Sequence, residues 1–172
     1  MKSQMVLADL TDQQLKNIIE NYRRKGMTAD SVYVEALAEH ARRIGKGLDF
    51  KKSYDAILRS AIEGRFISYK DLADASGAEW SKVHYSMNPH LWSLVEYAHR
   101  KGWPMLSAVV VNKPNVASGN MEPETLKGFI AAARELGLSI TDERAFLRDQ
   151  QRLVFEWARQ TIEPTIMKDA TE

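Results

Sequence analysis

The sequence predicts a mainly α-helical protein with a small β component, and three observations carry that prediction. Apolar residues recur three and four positions apart in one segment after another, the spacing that gathers them on one face of a helix. Most of these segments open on a capping residue or a proline and close on a glycine. Only two short stretches, 65–67 and 105–112, read as extended. The chain has 172 residues, 44% hydrophobic and 27% charged, which suits a folded body with a buried core.

Taken in order, Thr11 caps a first helix, with Gln14 as capping-box partner and Leu15, Ile18, Ile19 and Tyr22 as its apolar stripe. Arg23, Arg24 and Lys25 end it before Gly26, where basic side chains complement the helix dipole; phosphate contact is the competing role. Thr28 or Asp30 caps a second helix that turns Val32, Leu37 and Ala41 inward and stops at Gly45. Two helices of this length cannot bury their stripes alone. The hairpin over 1–48 is therefore expected to pack on the rest of the chain or on a second copy, as a homodimer. Residues 46–48 read as a linker, and Asp49 caps a third helix with Tyr54, Ile57, Leu58, Ala61 and Ile62 inward. Further on, Asn88 and Pro89 open a helix whose Leu91, Leu94, Val95 and Ala98 share one side. The valine-rich 105–112 predicts a buried strand, followed by a polar loop over 113–120. Pro123 starts a helix carrying Leu126, Phe129, Ile130, Ala133 and Leu136 inward. Thr141 caps the last one, which buries Phe146, Leu147, Leu153, Val154, Trp157 and Ala158 and ends at Glu163 and Pro164, leaving 164–172 as a flexible tail.

The centre of the chain is the stretch 68–87. Ser68 and Asp71 cap a short helix with Leu72 and Ala73 inward, and Gly77 allows the chain to reverse. A second helix follows, with Trp80 at its start and Val83 and Met87 on one face. A small Ala73, a turn Gly77 four residues on and an aliphatic Val83 six beyond resemble the helix-turn-helix of DNA-binding proteins. Ser86 departs from that pattern, which has an aliphatic residue there, and Met87 is the expected replacement. The order helix, short strand, helix, turn, helix is similar to the opening of a winged-helix domain, here over 49–120, followed by two C-terminal helices over 121–163. The resemblance implies double-stranded DNA as partner, with Trp80, Ser81, Lys82, His84, Tyr85 and Asn88 reaching the major groove beside an outward Glu79. Lys70 and Lys113 would contact the backbone, and the 113–120 loop would be the wing. The function implied is that of a transcriptional regulator or accessory factor.

The order of pieces from Gly64 to Asn112 also looks like the DNA-binding domain of alkyltransferases and alkyltransferase-like proteins. It comprises GRFISYKDLA, a second helix, Asn-Pro, and a proline leading into a valine-rich strand. Where those proteins carry proline, cysteine, histidine and arginine, this chain has Pro104, Met105, Leu106 and Ser107. The reactive cysteine is missing, so alkyl transfer is excluded and a similar scaffold is what remains.

Net charge is +1, but 1–119 carry 17 Lys and Arg against 13 Asp and Glu, while 120–172 carry 7 against 10. A basic front and an acidic rear are expected, compatible with DNA on one face. The absence of cysteine excludes disulfides and thiolate chemistry. No apolar run approaches a membrane span and the start lacks a signal-like core, so a cytoplasmic protein with no membrane partner is expected. His40, His84, His90 and His99 lack metal-ligand spacing, and His99 stands one turn from Glu96. Ser107 has no nucleophile elbow, and the GKG at 45–47 lacks the strand and hydroxyl residue of a phosphate loop. Glu79 and Lys82 lack the companion carboxylates of a nuclease. No catalytic residue, metal, cofactor or small-molecule substrate is assigned. Among the clustered aromatics, Trp92 and Trp103 are expected to be buried, and Trp80 and Tyr85 to be presented to a partner. The rival readings are a protein-interaction module and a nucleic-acid-processing enzyme.

Overall fold

The computed structural model describes residues 6–28, 30–44 and 47–169, residues 41, 44 and 163–169 by their backbone alone. Eight α-helices and one small sheet are found among them: α1 (Asp12–Arg24), α2 (Ser31–Ile44), α3 (Phe50–Ile62), β1 (Ile67–Ser68), α4 (Tyr69–Ala75), α5 (Trp80–Val83), α6 (Met87–Arg100), β2 (Val110–Val111), α7 (Pro123–Glu135) and α8 (Glu143–Asp169). The protein is mainly α with a small β component. The two strands run parallel, Ile67 opposite Val110 and Ser68 opposite Val111, each only two residues long.

Local caps account for the helix starts. Thr11 and Gln14 form the reciprocal box that opens α1, at 2.8 and 3.2 Å. Asp30 accepts from the Val32 N–H at 2.8 Å and opens α2; Asp49 does the same for Lys52 and α3. At α8 the cap is Asp142, which accepts from the Ala145 N–H at 2.9 Å, and the expected Thr141 lies outside it. That helix runs through Pro164 to Asp169, past the predicted stop. Ala41, Gly45 and Lys46, expected to end α2 and begin a linker, lie outside the described side chains or residues.

One core runs from Leu48 on α3's approach through α4, α6, β2 and α7 to Ala158 on α8. Leu48, expected in a linker, is fully buried, and Ile62, expected inside, is exposed. Trp103 is half-buried among Tyr54, Tyr97 and Trp157, and Trp92 is also half-buried, so neither is enclosed as predicted. The predicted strand over 105–112 is mostly a 3-10 turn, Leu106–Val109, and only Val110–Val111 pair, because β1 offers just Ile67 and Ser68 before α4 begins.

A second cluster, Leu15, Ile19, Tyr33, Ala36 and Leu37, joins α1 to α2. Tyr33 and Ala36 take the inward place expected of Val32. The hairpin docks on α6 of the same chain, so burying its stripe requires no second copy. The junction is polar: buried Glu96 of α6 accepts from Arg23 at 2.5 Å and from the Tyr33 hydroxyl at 3.3 Å. Arg23 thus has a structural role beyond the helix dipole, and the neighbours of Glu96 are Arg23, Tyr33 and Arg100 rather than His99. Arg43 fastens the opposite end of the hairpin, donating to the Leu10 carbonyl at 2.6 Å and to Asp12 at 2.9 Å.

Candidate nucleic-acid interface

The exposed tip of the molecule is set by the ladder beneath it. Ser68 belongs to β1 and caps α4, exchanging two 3.1 Å bonds with Asp71. Nine residues later Gly77 takes φ +69°, a left-handed conformation that other residues adopt only with strain. Its N–H reaches the Asp74 carbonyl at 2.9 Å and the Ala78 N–H reaches that of Ala73 at 2.9 Å, so the carbonyls at the end of α4 are satisfied. The Asp49 N–H donates to Ser76 Oγ at 2.9 Å and ties this turn to α3.

Beyond the turn, α5 lasts a single turn and tightens into a 3-10 segment, His84–Ser86, which leads directly into α6. The second helix is therefore shorter than the sequence suggests, and Pro89 sits inside the first turn of α6 instead of opening it. Its lost N–H has no helical partner there in any case. Val83, Ser86 and Met87 are all buried, so Met87 does fill the core beside Ser86. Tyr85 is 85% exposed, Trp80 37%, and Ser81, Lys82 and Asn88 are exposed as well. Among the described residues, no neighbouring helix covers the tyrosine.

Half-buried His84 organises the aromatic face. Its Nδ1–H donates to the Trp80 carbonyl at 3.0 Å, leaving Nε2 as an acceptor in the neutral ring. The ring lies 3.8 Å from that of Tyr85 and 5.7 Å from that of Trp80. Lys82 is paired with Glu79 at 3.0 Å and Lys70 with Asp74 at 2.9 Å. Exposed pairs of this kind contribute at most about 1 kcal/mol, so a phosphate can replace the carboxylate. The parallel register places Lys70 and Lys113 two residues beyond the same end of the ladder. The 113–120 segment is a compact turn beginning with a 3-10 piece, Lys113–Asn115.

Behind the tip lies a cleft of about 660 Å³ between α6 and α7. Trp80, His84 and Asn88 form its tip-side wall, Trp92 and Phe129 line its apolar interior, and half-buried Ser107 also faces it. Among the described residues its only carboxylates are Glu124 and Glu135, and it is lined by no Lys or Arg. Gly128, Ala131 and Ala132 on α7 leave the space open. These α7 residues escaped sequence reasoning because they are distant in the chain, although small residues on the polar side of a helix were the available signal. Ser81, Lys82 and Tyr85 lie outside the cleft, so the structure divides the predicted tip residues between an outer face and an inner wall.

Ser107 has no hydrogen-bonded base among the described residues. His90 is fully buried, hydrogen-bonded through Nε2 to Ser53 at 2.8 Å, and burial pushes its imidazole down to about 4. It is a core residue of α6. Among the described residues no group of three or more His, Asp or Glu is placed to hold a metal ion, and no helix is long and apolar enough to cross a membrane. Comparison with protein-family models, curated proteins and solved structures gives no match.

Proposed function

We propose that this protein binds double-stranded DNA through the tip over residues 80–88, as a transcriptional regulator or accessory factor. The observation that carries the proposal is Tyr85, a large aromatic residue left 85% exposed on a rigidly braced turn beside His84 and Trp80. Exposed Ser81 and Lys82 on the same outer face, and exposed Asn88 at the cleft wall, add groups that hydrogen-bond to base edges and phosphates. The order of α3, β1, α4, turn and α5 supports a winged-helix-like arrangement. Two departures limit its reach: α5 has one turn, and the strands run parallel instead of forming a hairpin wing. Lys113, at the start of the turn after β2, supplies the backbone contact a wing would make.

The second reading, a protein-interaction module, is favoured by the cleft, whose aromatic walls and two carboxylates suit an apolar or cationic group and repel phosphate. A mobility-shift titration with random duplex at two salt concentrations tests the proposal. Affinity should fall steeply with salt and be lost, by about tenfold or more, in a Lys82→Ala/Tyr85→Ala variant of unchanged melting temperature. Wild-type affinity in that variant would move the interface away from the tip.

A further inference from the structure

We propose that the groove between α8 and the 118–120 turn is a second, separate binding site, for single-stranded nucleic acid, gripped by its phosphates and its bases together. The groove has a volume of about 390 Å³ and is lined by Arg144, Arg148, Arg152 and Arg159, with no carboxylate among its lining residues. Those positions, together with Gln151 and Phe155, recur at intervals that keep them on one stripe of the helix.

Among the described residues the nearby carboxylates each have a partner. Asp142 caps α8, Glu143 accepts from Arg134 at 3.3 Å, and Asp149 and Glu156 both bind Arg152. Arg144 and Arg148 are exposed and form no ion pair among the described residues. Two guanidiniums one helical turn apart, about 6 Å along the axis, can follow successive phosphates.

The floor is apolar and partly aromatic. Half-buried Phe66 and Phe155 meet edge to face at 5.3 Å and both line the groove, as does buried Leu147. Cations along a narrow groove with aromatic rings at its base suit a strand whose bases are free to stack. The groove is of small-ligand size, so a duplex is too wide to enter. The wall is held firmly: Gln151 Nε2 donates to the carbonyls of Ala108 at 3.0 Å and Gly119 at 2.8 Å. The site also stands apart from the tip. The groove and the cleft behind the tip share no lining residue.

Fluorescence anisotropy of the full chain with labelled oligothymidine, at several salt concentrations, tests the assignment. The wild type should bind, and Arg144→Gln/Arg148→Gln should weaken binding about tenfold. In the double variant the slope of log affinity against log salt should also become shallower by about 1.4, because two fewer phosphates are neutralised. Lys82→Ala/Tyr85→Ala should leave oligothymidine binding within about twofold, so this site and the duplex reading stand or fall separately. Unchanged binding in the arginine variant would overturn the proposal. So would inorganic polyphosphate competing as well as the oligonucleotide per phosphate, or an acidic peptide of equal charge doing so, since neither has bases to stack.

Discussion

At the tip and on α4 beside it, Lys82 and Lys70 each stand one turn from a carboxylate that pairs with them, and the exposed chemistry of the tip is aromatic. Along α8, Arg144 and Arg148 have no such partner among the described residues, although they belong to the segment 120–172 with net charge −3. Summing charges along a segment therefore does not show where the unpaired cations stand. Among the described residues, Asp142 caps α8 and the carboxylates of the helix bind Arg134 and Arg152, so a negative total along the segment still leaves Arg144 and Arg148 without an ion pair.

The largest effect should come from two glycines with nearly the same φ, one in each region. Gly119, at φ +73°, lies beneath Phe66, whose ring a Cβ would meet at 2.2 Å. Gly119→Ala should cost about 3–4 kcal/mol in urea unfolding and displace the groove floor, combining left-handed strain with overpacking. Gly77, at φ +69°, has open space around it. Gly77→Ala should cost only about 1 kcal/mol, from strain alone. Equal costs at the two sites would mean that the groove floor is not packed as described.

Acid separates the regions next. No group lining the groove titrates between pH 4 and 7, whereas α6, which continues the tip, buries His90 in its neutral form. Its folded value of about 4 lies below the unfolded value near 6.5, so the unfolded chain binds the extra proton in that window. Stability should be complete above pH 6.5 and fall by up to about 3 kcal/mol as pH drops toward 4. His90→Gln should remove most of that slope. A smaller remainder is expected from His40, which burial also holds below its usual value.

The smallest effect sharpens the electrostatic contrast directly. Asp74→Asn/Glu79→Gln releases both lysines and should strengthen duplex binding about two- to threefold at low salt, with little change in melting temperature. Oligothymidine binding at the groove should not respond. A gain at both sites would mean that long-range charge, rather than local pairing, controls them.

Much of the helical framework was legible because its determinants are local. Thr11 with Gln14, Asp49, Ser68 with Asp71, and Gly77 act across three or four residues, and the structure places each where the spacing predicts. The exposure of Tyr85 followed from the same logic, since Val83 and Met87 commit the opposite side of the turn to the core. Legibility failed where a residue's role depends on a distant partner. Nothing near Glu96 announces Arg23 and Tyr33, and nothing near Ser107 announces the α7 wall of its cleft.

By itself, then, the sequence determined a mainly helical chain, the start of most helices and the reversal at Gly77, because capping and amphipathic spacing are properties of neighbouring residues. The tertiary structure decided the parallel pairing of two very short strands, the one-turn length of α5, and the placing of Phe66 and the 118–120 turn beside the arginine stripe of α8 to make a groove. Those outcomes depend on which surfaces meet, and packing between residues far apart in the chain is a constraint that no local spacing encodes.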